Sequence, residues 1–115
     1  MKKVLFICSR NRLRSPTAEQ LYSETPNLEV VSAGLNNEAE VTVTPELLDW
    51  AELIFVMEQK HRNKLSRTFP DSLRNKRVVS LDIPDDYDFM DPALILLLKQ
   101  KLTPFLGPPL KKNSQ

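Results

Sequence analysis

Three times along this chain a side chain able to cap a helix stands directly before proline, at Ser15-Pro16, Thr44-Pro45 and Asp91-Pro92. Proline suits the first turn of a helix, where its missing N–H leaves no hydrogen bond unmade. A hydroxyl or carboxylate just before it can accept from the free amides of that turn. Each pair therefore predicts a helix start. Stretches of strand length precede and separate these starts: residues 4–8 and 53–56, both apolar, 28–34, which alternates before closing on Ala33-Gly34, and 77–81. The run Val4-Leu5-Phe6-Ile7-Cys8 is apolar throughout, as strands buried on both faces of a parallel sheet are. Helices are expected from Ser15 until Pro26 stops the first, over about 44–50 and 59–67, and from Asp91 to about residue 106, where Leu94, Leu98 and Leu102 recur every fourth position. Alternating strands and helices predict an α/β protein: a single domain with a four-stranded parallel sheet flanked by helices on both faces. The domain is expected over 1–107, with 108–115 as a flexible C-terminal tail.

With 41% apolar residues in 115, the chain can bury one sizeable core. Its 16 basic and 15 acidic side chains leave a net charge of +1, so no global field draws it to nucleic acid or to an anionic membrane. The longest apolar run, residues 93–98, is too short to span a bilayer, and the run after Lys2-Lys3 is too short for a secretory segment. A soluble cytoplasmic protein is expected. Cys8 is the one cysteine and His61 the one histidine, which excludes an internal disulfide and a Cys/His zinc cage. No metal or cofactor is implied.

Ligands of open α/β sheets bind beyond the carboxyl ends of the strands, and Cys8 stands at such an end. Arg14-Ser15 follow six residues later, across the polar, basic stretch Ser9-Arg10-Asn11-Arg12-Leu13. That spacing can wrap a backbone loop around one tetrahedral oxyanion. The loop amides and the helix N-terminus direct positive dipoles inward, and a planar guanidinium can grip two oxygens. The same surroundings favour the thiolate, the nucleophilic form of a cysteine. Attack on phosphorus also needs an acid for the departing oxygen, so a nearby carboxylic acid is expected.

The stretch from Val4 to Glu19, VLFICSRNRLRSPTAE, resembles the opening of the low-molecular-weight protein tyrosine phosphatases, usually V-L-F-V-C-x-G-N-x-C-R-S-P-x-A-E. The resemblance continues at Ser32-Ala33-Gly34, Thr44-Pro45-Glu46-Leu47, Leu53-Ile54-Phe55-Val56-Met57-Glu58 and Ile83-Pro84-Asp85-Asp86-Tyr87, and so covers residues 4 to about 106. It implies the same four-stranded sheet and a phosphomonoester hydrolase, working through a phosphocysteine on Cys8. Carried over by position, Arg14 clamps the phosphate, Ser15 donates to the thiolate, and Ser9, Arg10, Asn11, Arg12 and Leu13 form the binding loop. Asn11 shapes that loop with support from Ser32. Asp85 takes the place of the general acid, with Asp82, Asp86, Asp88 and Asp91 as rivals in the same acidic stretch, and Tyr87 takes the place of an aromatic residue lining the substrate's ring. The implied substrate is a phosphorylated protein, phosphotyrosine above all, or a small phosphoester, and inorganic phosphate or sulfate suits the loop.

Three features depart from the family pattern. Arg10 stands where the family has glycine, so a positive φ there would strain the loop. Together with Arg12 it adds charge at the mouth, which strengthens anion binding, favours a more anionic substrate, or folds over the pocket. Leu13 replaces the second loop cysteine, so an oxidised Cys8 has no partner for a protective disulfide. The connection over residues 35–43 is short, lacking the helix and loop-supporting histidine of other members, so one wall of the substrate cleft is expected to be missing. His61 reads as structural or exposed rather than catalytic. Rival functions are a non-catalytic phosphate-binding or phosphoprotein-binding module on the same fold, an arsenate reductase, which needs cysteines absent here, and a phosphocysteine carrier, which needs no arginine at position 14. RNA contact through Arg10, Arg12 and Arg14 lacks the interleaved aromatics and the wider basic face such binding uses.

Overall fold

The structure, a computed structural model, describes residues 2–110, so residues 111–115 of the expected tail lie outside the described residues. Strands and helices alternate as β1 (Lys2–Cys8), α1 (Arg14–Tyr22), β2 (Leu28–Gly34), α2 (Pro45–Trp50), β3 (Leu53–Val56), α3 (Gln59–Thr68), β4 (Arg77–Ser80) and α4 (Pro92–Leu106). The four strands form one sheet in the order β2-β1-β3-β4, with every neighbouring pair parallel. No described helix is long and apolar enough to cross a membrane.

Successive residues of a strand face opposite sides of its sheet, and here both sides are apolar. Val4, Phe6 and Cys8 pack with Phe55 against Ala18 and Tyr22 of α1 and Leu94, Leu98 and Leu102 of α4. Leu5, Ile7, Ile54 and Val56 pack on the other face with Leu48 of α2 and Leu65 of α3. This two-sided burial is why the central strands read as continuous apolar runs rather than alternating ones. Trp50 packs at the edge of the second core.

Two of the three proline starts are capped as expected. Thr44 accepts from the Leu47 amide at 3.2 Å, and Asp91 accepts from the Ala93 amide at 2.9 Å. The first differs. Helix α1 begins at Arg14, one residue before the expected start, and Leu13 stands at its cap position with no side-chain hydrogen bond to the first turn. The Ser15 hydroxyl is turned elsewhere, so the amides of that turn are not consumed by a cap.

The short connection after β2 runs back along the end of β1. Leu35 donates to the Cys8 carbonyl at 3.0 Å, Asn36 to Ser9 at 2.8 Å and Glu40 to Arg10 at 3.3 Å. Gly34 sits where these segments meet. A Cβ there would stand 2.7 Å from the Ser9 carbonyl oxygen, 2.9 Å from the Arg10 carbonyl carbon and 2.6 Å from the Ala39 Cβ. Two of those contacts are backbone and cannot swing aside. Gly34→Ala is therefore expected to destabilise the domain by about 1–3 kcal/mol, read as a lower urea midpoint; an unchanged midpoint would show that the loop yields freely.

Candidate active site

Because β1 lies between β2 and β3, the loops leaving β1 and β3 diverge in opposite directions, and the crevice between them is where sheets of this kind bind ligands. Residues 9–13 enter it from β1, Glu58 stands just beyond β3, and Ile83 and Asp85 follow β4. A pocket of about 600 Å³ opens there, lined by Cys8, Ser9, Arg10, Arg12, Leu13, Arg14, Asn36 and Asp85.

Cys8 is 3% exposed, at the pocket floor. Asn11 has φ 57°, a left-handed conformation that Asn tolerates better than most residues, and its amide turns back to donate to the Cys8 Sγ at 3.2 Å. Arg10 lies outside the left-handed region, so the strain expected from arginine in place of glycine is absent. Ser15 Oγ is 2.9 Å from the same sulfur and also donates to Asn11 Oδ1 at 3.0 Å. Its single proton serves one of these partners at a time. Ser32 donates to Glu19, not to Asn11 as expected, so it braces α1 against β2 and reaches the loop only through the helix. Among the described residues, the amides of Arg10, Arg12, Leu13, Arg14 and Ser15 donate to no protein acceptor. With the N-terminus of α1 behind them, they form a row of donors suited to an oxyanion.

Arg14 is 3% exposed. Its Nη1 donates to Glu58 Oε2 at 2.6 Å and to the Ile83 carbonyl at 2.7 Å, and Nε lies 3.7 Å from Asp85 Oδ1. Among the described residues no buried side-chain nitrogen or oxygen lacks a hydrogen-bond partner. Neither Nε nor Nη2 makes a hydrogen bond, so neither is sealed; with Arg14 on the pocket lining, they are the edge of the guanidinium left for a ligand. Burial would raise the Glu58 carboxyl, but the hydrogen bond and charge of Arg14, aided by Lys60 and His61, hold it below the usual carboxylate range.

His61 is buried beside the loop. Its Nδ1 accepts from the Glu58 amide at 3.1 Å, so the ring proton of the neutral imidazole is on Nε2 and points at Ser9 Oγ, 2.9 Å away. The Ser9 hydroxyl proton is thereby left for the pocket that Ser9 lines. Burial first, then the nearby charge of Arg14, pushes the histidine down to about 4.

Of the acidic stretch, Asp85 alone lines the pocket. Asp82 accepts from Ser80 and Asp91 caps α4, while Asp86 and Asp88 are exposed away from the pocket lining. Tyr87 is half-buried and packs against the core under α1 and α4, so it does not line the pocket as expected. Asn36, from the short connection after β2, lines the pocket and donates its amide to the Ser9 carbonyl. Glu58, His61 and Asn36 had no signal as site residues: each reaches the loop through tertiary contact alone.

The family model described as low molecular weight phosphotyrosine protein phosphatase matches residues 3–83. Among solved structures, Wzb of Vibrio vulnificus in complex with benzylphosphonate superposes with a TM-score of 0.74 at 24% identity, covering 91% of this chain and 97% of that one. The tyrosine phosphatase Wzb of Escherichia coli K30 in complex with phosphate gives 0.74 at 23% identity, over 91% and 96%. The YwlE arginine phosphatase of Geobacillus stearothermophilus gives 0.69 at 22% identity, over 90% and 87%. At such identities the likeness establishes the shared fold. No curated protein matches the sequence.

The depressed histidine has a stability consequence. The unfolded chain takes up this proton near the ordinary value of 6.5 and the folded chain only near 4. The contribution of the neutral, buried ring is thus complete above about pH 6.5 and lost as pH falls toward 4, on the order of 3 kcal/mol. The stability advantage of the parent over His61→Gln, measured by urea unfolding, is expected to shrink between about pH 7 and about pH 4.5. A constant difference would place the ring in contact with water.

Proposed function

This chain belongs to the low-molecular-weight phosphotyrosine protein phosphatase family and is a phosphatase; from that premise we propose that it hydrolyses phosphomonoesters, protein phosphotyrosine above all, through a phosphocysteine on Cys8. One observation carries this reading: the Cys8 sulfur, held by the Asn11 amide and the Ser15 hydroxyl, lines the same pocket as Arg14, whose guanidinium keeps donors free of protein partners.

The phosphate is held by the free loop amides and Arg14, which match the charge that gathers on the equatorial oxygens as the ester bond breaks. Cys8 attacks phosphorus as thiolate, forming S–P while the P–O bond to the leaving group breaks. Asp85, at the pocket wall, gives its proton to that departing oxygen. As carboxylate it then takes a proton from water, whose oxygen attacks phosphorus and breaks S–P, returning phosphate and thiolate. Ser15 steadies the thiolate in both steps by turning its proton from Asn11 to sulfur. Phosphotyrosine is favoured over phosphoarginine because a guanidinium leaving group would face Arg10 and Arg12 with like charge.

The parent is expected to hydrolyse p-nitrophenyl phosphate without added metal and to be inhibited by vanadate. Cys8→Ser should lose at least about 10³-fold in turnover while still binding phosphate. Full activity in that variant would refute the nucleophile. Binding without turnover in the parent would make the chain a phosphate-binding module on this fold. Asp85→Asn should lower kcat by about 10²- to 10⁴-fold with poor leaving groups and far less with nitrophenol; equal losses across leaving groups would move the acid to another residue.

A further inference from the structure

We propose that the pocket selects phosphomonoesters whose leaving group carries a second anionic group, with Arg10 and Arg12 as the residues that recognise it. The proposal rests on the phosphatase reading of the same site and names the substrate class within it. The loop alternates: Arg10 and Arg12 are exposed at the mouth, and Asn11 between them is buried and committed to holding Ser15 and Cys8. Both arginines line the pocket, and among the described residues neither forms an ion pair. Arg14, by contrast, is engaged by Glu58 and Asp85, and Asp85 is the one carboxylate on the pocket wall. The deep position is thus matched to one dianion, while the mouth keeps two guanidinium groups that no anion among the described residues pairs.

The rest of the wall fits a charged leaving group better than a bare ring. Tyr87 is half-buried against the core, among the described residues no aromatic side chain lines the pocket, and Asn36 is part of the lining. A carboxylate or second phosphate displayed a few ångströms from the ester would meet both guanidinium forks, and a neutral group there would meet none. The contacts are exposed, so their effect is several-fold and falls with salt.

A pair of aryl phosphates isolates the charge: 4-(carboxymethyl)phenyl phosphate and its 4-(carbamoylmethyl) counterpart, in which a methylene keeps the two phenols alike as leaving groups. In the full chain at low salt, kcat/KM is expected to favour the carboxylate by about fivefold. The ratio should fall toward one in roughly 0.5 M salt and in the double variant Arg10→Gln/Arg12→Gln. Because the ratio compares two substrates on one enzyme, a general loss of activity cancels. A second pair, phosphotyrosine peptides with Glu or Gln beside the phosphotyrosine, identifies the source: a preference there points to acidic protein segments, and one confined to the aryl pair points to small phosphorylated acids. Equal rates within both pairs, or a preference that survives loss of both arginines, would overturn the proposal. Should the parent turn over neither substrate, the phosphatase reading fails, and the charge selection is read by calorimetry from the corresponding phenylphosphonates, with equal affinity refuting it.

Discussion

Arg14 brings a permanent positive charge almost wholly inside the domain, and an unpaired charge at such a depth would cost several kcal/mol. The Glu58 carboxylate and the Ile83 carbonyl meet this demand, one from just beyond β3 and the other from the segment after β4. A single guanidinium therefore ties the loop after β1 to the ends of the two strands on the far side of the crevice. Removing either acceptor would leave charge uncompensated and loosen the segment that carries the sulfur.

Glu58 does this twice. Its side chain holds Arg14 while its backbone amide fixes the tautomer of His61, whose other nitrogen faces Ser9 at the start of the loop. A cation beside it and burial around it keep that histidine neutral, so the hydrogen bond to Ser9 has one direction across the ordinary pH range. Support for this flank of the loop comes from the first turn of α3. The short connection acts on the opposite side, its amides bonded to the carbonyls of Cys8, Ser9 and Arg10. The loop is thus gripped along both flanks while its inward amides stay free.

What could be read before the fold was known follows from locality. The apolar run ending at Cys8, the proline starts and the four-residue leucine spacing act over one or two turns of chain, and they placed the strands and helices closely. The spacing of Cys8 and Arg14 is likewise local, since both ends belong to one strand-loop-helix unit. Ser15 shows the limit even there: a hydroxyl before proline reads as a cap, yet the pull of the buried sulfur and Asn11 outweighs capping, and Leu13 takes the cap position without a side-chain bond. Arg10 misleads in the opposite sense, because the left-handed turn falls on Asn11, where a short polar side chain tolerates it.

The chain's own order of residues determined the parallel sheet, the loop between thiol and arginine, and the family, because these rest on short-range pattern and on burial of apolar faces. Which carboxylate stands at the pocket, where Tyr87 turns, and that Glu58, His61 and Asn36 reach the loop at all were decided only by tertiary structure. Those contacts join residues far apart along the chain, brought together by the crossing of β1 between its neighbours, and no local preference encodes the side of the sheet on which a distant side chain will arrive.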